Sequence, residues 1–265
     1  MTELKEAVPR EETVRRESVR KACLAALDTV QDPELDEPVT SLGFVSSCTV
    51  GGSADGNGGE TVGGLVGRIV DVRLRHPTYF CAPNFAFLMV ADAYDAVSAV
   101  PGVARAQVVL EDHFASDAIN GGVAAHAGFV DSFEGEAVGE LETLRADFLR
   151  KAVLAGTDKV ARPLLVGGAT AEDLATTTLG QVPPTPDRER LRRRRAQLGL
   201  PSDDAAPLLV DPATGTAIGV DALPLHLRKA RLTAVSIEAN GGVCRGMLAA
   251  RYPGAAGVEQ VPAPA

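Results

Sequence analysis

The sequence predicts an α+β fold in two regions, and three patterns carry that expectation. Apolar residues recur at three and four positions over Glu11–Val30 and again over Asn84–Ala99, the spacing of one face of a helix. From Leu65 to Leu74 strand patterning appears: Ile69, Asp71, Arg73 and the following Arg75 alternate with Val70, Val72 and Leu74, the period-two pattern of a strand. Glycine-rich Gly51–Gly64 and proline-rich Pro183–Pro186 then break the chain where connectors belong.

The elements follow in order. Residues 1–10 read as a frayed tail. The first helix places Val14, Ala22, Cys23, Ala26, Leu27 and Val30 near one face, and Asp32-Pro33 stops it, because a residue before proline is pushed out of the α region. DPELDEPVTSLGFV is turn-rich and leads into a strand over Phe44–Val50. The glycine-rich segment has almost nothing to bury and reads as a long, mobile hairpin loop, and it lacks the Lys-Ser/Thr ending of a phosphate-binding loop. After the second strand comes HPTYFCAPN, a helix on which Phe87, Val90, Ala91, Tyr94 and Val97 share a face, a Pro101-Gly102 stop and a strand over Val103–Glu111. Helix, hairpin, helix and strand make a small layer with helices on one side of a sheet. Residues 112–131 show no period. Phe133–Ala155 is expected to be helical, with Leu141, Leu144, Phe148 and Leu149 inward. Arg188–Arg195 reads as a solvated basic helix with Leu191 and Leu198 inward. The last part is expected to hold a hairpin turning at Asp211–Gly215, a short helix near Asp221 and a second hairpin turning at Asn240-Gly241. The expected domains are 1–125, a connector and linker at 126–187, and a C-terminal α+β domain at 188–265.

At 265 residues, 45% of them hydrophobic, the chain can bury a core without metal or disulfide staples; with 4% aromatics and no Trp, that core must be aliphatic. A net charge of −9 gives no overall attraction for nucleic acid or an anionic membrane. No apolar run nears the roughly 20 residues that span a bilayer, so no membrane contact is expected. The opening MTELKEAVPREETVRRES is charged and without an apolar core, so no secretory leader is expected in it. The four cysteines, Cys23, Cys48, Cys81 and Cys244, are widely spaced with no C-x-x-C pair, which suits a cytoplasmic protein with reduced thiols better than a disulfide framework.

The chemically dense point is His76-Pro77-Thr78-Tyr79-Phe80-Cys81-Ala82-Pro83-Asn84. A cysteine just before a helix lies near free N–H groups and the positive end of the dipole, which favour thiolate, the form that ligates metal or attacks an electrophile. Thr78 or Asn84 can cap that helix. His76 is five residues from Cys81 and within reach of the same pocket, although packing is the simpler role. Asp32 suits a turn held by its own Asx-type bond, with Glu34 in the same turn. Should that turn fold back on Cys81, carboxylate and thiolate would form an open iron site. Cys23 reads as a core residue, and His113, His126 and His226 as loop or isolated histidines. In the tail, Cys244 stands beside Arg245, whose charge favours thiolate, within a segment that Asn240-Gly241 alone would explain as a turn. No H-E-x-x-H, G-x-S-x-G or dinucleotide fingerprint is present, so no enzyme activity is expected.

Asp32, Pro33, Glu34, Pro38, Leu42, Gly43, Thr78, Cys81, Pro101, Gly102 and Val103, in this order and set among these elements, resemble the MIP18 (DUF59) family over roughly residues 15–115. At the thiol this chain has Phe80-Cys81-Ala82-Pro83 where many relatives have Gly-Cys-Pro. The resemblance implies a MIP18-like (FSCA-like) domain and a role in iron–sulfur cluster or iron-site assembly. Iron or a cluster would be handled transiently at Cys81, with Asp32, Glu34 and Thr78 around it and with His76 and Cys244 as weaker ligand candidates. The implied partners are a client iron enzyme or other assembly factors, with a homodimer as an option. Longer actinobacterial relatives of this two-part build accompany soluble diiron monooxygenases, and the Arg-rich, Lys-poor composition suits a high-GC bacterium. The alternative reading is a chaperone-like interaction module for such an oxygenase, without metal chemistry of its own.

Overall fold

A computed structural model describes residues 10–51, 60–62, 65–133 and 141–254. The tail before Arg10 and most of the glycine-rich loop lie outside the described residues, as do residues 134–140 of the helix expected from Phe133. The fold is a mixture of helices and small sheets. The chain divides into two compact units, one of 1–32, 37–140 and 244–265, the other of 33–36 and 141–243.

In the first unit, helix α1 (Arg10–Leu27) buries Cys23, Leu24 and Leu27. Two-residue strands β1 (Gln31–Asp32) and β2 (Glu37–Pro38) pair across the DPELDE turn. The main sheet is organised on β5 (Leu65–Arg75), which is antiparallel to β3 (Val45–Val50) and, at its start, to β4 (Glu60–Val62). Helix α2 (Pro83–Ser98) then crosses over so that β6 (Val103–Glu111) lies parallel to β5, with Arg75 level with Glu111. Along the chain α1 is followed by the short β1–β2 pair, by β3, β4 and β5, and then by α2 and β6, a mixed α+β order. It arises because Val70, Val72, Leu74, Ala106, Val108 and Leu110 bury one face of the sheet, while seven residues of α2 are buried. At the edge of the same core, buried Arg68 is held by Glu12.

The β5–β6 pairing begins at a close backbone approach. A Cβ on Gly67 would stand 2.7 Å from the Ala104 nitrogen and 2.9 Å from the Gly102 oxygen, next to the bond from Arg68 N–H to that same oxygen at 2.8 Å. Glycine is required there because neither contact is the yielding end of a side chain. Gly67→Ala should therefore lower the urea midpoint by the equivalent of about 1–3 kcal/mol, the usual cost of overpacking. An unchanged midpoint would mean that the two strands part freely at this end.

The aperiodic stretch 112–131 is not all loop. It contains α3 (Ser116–Ala124), which buries Ile119 and Val123, and the short α4 (Phe129–Ser132). The helix expected at Phe133–Ala155 is found as α5 (Glu142–Val166), later and longer, with Phe148 buried.

The second unit is helical among the described residues, and residues 188–254, expected to lie in an α+β domain, hold helices and isolated bridges without a longer strand. Helix α5 packs with α7 (Pro186–Gln197), and α6 (Ala171–Thr176) is held by a reciprocal cap in which the Thr170 hydroxyl accepts the Asp173 N–H at 3.1 Å. Val153, Val160, Ala161, Leu174, Leu179, Leu191, Leu208 and Leu223 share one apolar core. Extended pairing is limited to isolated bridges Thr178–Pro207 and Val210–Ala217, the second closing the expected turn at Asp211–Gly215.

Two expectations are corrected here. The second hairpin is absent. Val220–Ala222 winds one 3-10 turn and α8 (Leu223–Arg251) runs straight through Asn240, Gly241 and Gly242, its end from Cys244 on belonging to the first unit. A glycine inside a helix costs only about 1 kcal/mol, which Leu, Ala and Arg on both sides outweigh. The basic run is also not wholly solvated. Arg194 is 8% exposed and takes Asp36 at 2.5 Å, and Arg195 is fully buried, donating to the Pro207 carbonyl at 2.8 Å and to the Leu208 carbonyl.

Candidate functional site

Cys81 lies where β5 hands over to α2. Pro83 opens the helix, its fixed φ and missing N–H suiting a first turn, and Ala82 is the cap residue with no side-chain cap. Thr78 therefore does not cap α2. Its hydroxyl accepts the Phe80 N–H at 3.2 Å and stands 3.3 Å from the Cys81 sulfur, which fixes the local turn and gives the thiol a hydrogen-bond partner. Cys81 is half-buried, whereas Cys23 and Cys48 are buried and their thiols are pushed up by desolvation, to about 12 and about 11. Those two are held as thiols in the core.

The sulfur's loop is anchored from β6. Parallel pairing brings residues 112–115 beside 76–81, and there buried His113 donates from Nε2 to the Cys81 carbonyl at 2.7 Å. Its Nδ1 accepts the Ala115 N–H at 3.1 Å, which fixes the neutral tautomer. Burial holds this imidazole below its ordinary value. His113, read from sequence as a loop histidine, is thus the residue that positions the backbone of Cys81. The signal that could have revealed it is the parallel register, which only three-dimensional pairing supplies.

His76 is nearby but plays a packing part. It is 1% exposed, stacks edge-on with Phe44 at 5.5 Å and His113 at 5.8 Å, and neither ring nitrogen has a hydrogen-bond partner among the described residues. Burial, then the neighbouring His113 and Arg251, pushes it down to about 3. The end of α8 closes this corner. Arg251 donates to the carbonyls of His76 (3.2 Å) and Asp112 (2.6 Å), Tyr252 donates to the Asp112 carboxylate at 2.9 Å, and Arg75 covers the Tyr252 ring at 4.7 Å. Tyr79 and Phe80, the two residues before Cys81, form an exposed aromatic cluster with Phe114 (Phe80 76% exposed), with centroids 5.0–6.4 Å apart.

No family model, curated protein or solved structure matches the chain. The site is therefore read from its own geometry.

The remaining candidates are placed as follows. Asp32 is buried in β1 opposite Glu37. Glu34 is exposed, counted with the second unit, and accepts from Asn240 at 3.3 Å. Cys244 is half-buried on α8, and the adjacent Arg245 is paired with Glu37 at 2.8 Å, so its charge is already committed. Among the described residues no group of three or more His, Cys, Asp or Glu is arranged to hold a metal ion. None of the described helices is long and apolar enough to cross a membrane. Chemically, the site offers one half-buried cysteine on an anchored loop, next in the chain to an exposed aromatic cluster.

Proposed function

We propose that the protein is an assembly or maturation factor that passes iron, or an iron–sulfur cluster, to a client iron enzyme through the Cys81 thiol. The observation that carries this reading is the combination of a half-buried cysteine, its backbone anchored by His113, with an exposed aromatic cluster of Tyr79, Phe80 and Phe114 that begins at the two residues before it. A thiolate is a good iron ligand. One thiolate at this site, with the other ligands coming from elsewhere, suits cargo in transit better than a resident cluster. Exposed aromatics are the residues that protein contacts favour. The order of elements around the thiol also supports the resemblance noted in the sequence. A soluble diiron monooxygenase is the client class that resemblance suggests.

The test is anaerobic reconstitution of the full chain with ferrous iron and sulfide. Wild type should gain visible absorbance and bound iron, and Cys81→Ser should lose most of both while its folding transition stays in place. A wild type that stays colourless and iron-free overturns metal handling. The exposed aromatic cluster would then favour the second reading, a chaperone-like module for an iron enzyme with no metal chemistry of its own.

A further inference from the structure

We infer that the outer edge of β6 is a docking site for an extended, acidic peptide segment of a partner protein. This surface is independent of the metal reading above.

The direction of the backbone carries the argument. On β5 the Ile69 carbonyl and the Arg75 N–H point toward β3, meeting Gly51 and Phe44, while the Arg68 N–H points the other way, to Gly102. Even-numbered residues of β5 therefore face β6. In the register Val72↔Val108 and Leu74↔Leu110, the odd-numbered residues of β6 complete that ladder, so Ala106, Val108 and Leu110 turn their N–H and C=O groups outward. At Leu110 both are taken. The Asn120 side chain accepts the N–H at 2.8 Å and donates to the C=O at 3.0 Å, standing in for the next strand. The opposite edge of the sheet is similarly guarded, by Arg20 on the Cys48 carbonyl at 3.3 Å.

Ala106 and Val108 have no such cover among the described residues. Their edge opens instead into a cleft of about 260 Å³, lined by Arg105–Val109 on one side and by Tyr94, Asn120, Val123 and Ala124 on the other. Two donors and two acceptors in a row, with a slot beside them, are met by polypeptide backbone in the extended form. Charge narrows the occupant further. Arg105 is exposed and makes no ion pair or hydrogen bond with a described residue, although the chain as a whole carries −9. An added strand would place alternate side chains beside Arg105 and against Val123 and Ala124, which selects acidic residues on one face and apolar ones on the other.

The test starts from a phage-displayed library of random heptapeptides, selected on the full chain. Selection should enrich proline-poor peptides that alternate apolar and acidic residues. Binding should slow hydrogen exchange at the Ala106 and Val108 amides. Val108→Pro, which deletes one outward N–H without touching the β5 ladder, should weaken binding at least tenfold. Arg105→Glu, an exposed change that leaves the fold intact if the proline variant does not fold, should weaken it comparably. Failure to enrich such a family overturns the proposal, as do equal affinities for wild type and Arg105→Glu. It also falls if the two amides are slow to exchange in the free protein, or become slow only as protein concentration rises, which would make the occupant this chain or a second copy of it.

Discussion

His76→Phe is expected to remove most of the acid sensitivity of this protein. The ring of His76 is neutral in the folded state down to about pH 3, whereas in the unfolded chain it titrates near 6.5. Between those values the unfolded state binds a proton that the folded state refuses. Stability contributed by the neutral ring is thus complete above pH 6.5 and is lost progressively as the pH falls toward 3. At about 1.4 kcal/mol per unit, the full window amounts to on the order of 4–5 kcal/mol. Burial also lowers His113, which adds to the same limb. Phenylalanine keeps the edge-on contacts with Phe44 and His113 and removes two buried nitrogens that have no partner among the described residues. At pH 7 the variant should therefore match wild type or exceed it by about 1 kcal/mol. Urea midpoints at pH 7.5 and pH 4.5 decide the matter: wild type should lose far more than the variant on acidification. Parallel slopes would mean that the acid limb belongs to other groups. Loss of iron on reconstitution of the variant would make His76 a ligand.

Arg195→Ala should be the most damaging single change in the second unit. The guanidinium is fully buried, and burial lowers it to about 10, so it stays charged at neutral pH with carbonyls as its partners. Truncation abandons the Pro207 and Leu208 carbonyls at about 1–3 kcal/mol each. The void beside Leu191 and Leu208 adds about 2–5 kcal/mol, while release of a desolvated charge returns several. The balance is a net loss of about 3 kcal/mol, read as a lower urea midpoint. Arg195→Met, which refills the space, separates the two contributions. If Met is as stable as Arg, the carbonyl bonds contribute nothing.

The first unit was legible because local pattern and final packing agree there. Alternation in Leu65–Leu74 and the three–four spacing in Asn84–Ala99 are what a half-buried strand and its covering helix demand, and both form, as β5 and α2. The tail was misread because Asn240-Gly241 is a strong local turn signal, and only the neighbouring turns of α8 show it overruled. Polar burial was not legible at all. Nothing in RERLRRRR distinguishes Arg195 from Arg193, since the difference is which face of α7 meets the 206–210 segment. At the site, Thr78 was foreseen as a neighbour of Cys81, but as a helix cap. His113 was missed, because the register that delivers it to the Cys81 carbonyl is a property of the sheet and not of either segment.

Asn120 sets a limit on how the sheet can grow. A strand laid along an open edge can ordinarily slip by two residues and keep the same faces toward core and solvent. Here the amide fills both positions at Leu110, so no chain laid beside β6 can advance past that point. Position along the edge is then counted from a fixed mark, as on a ruler with one end stopped. A single side chain gives the sheet a zero from which any further strand must be measured.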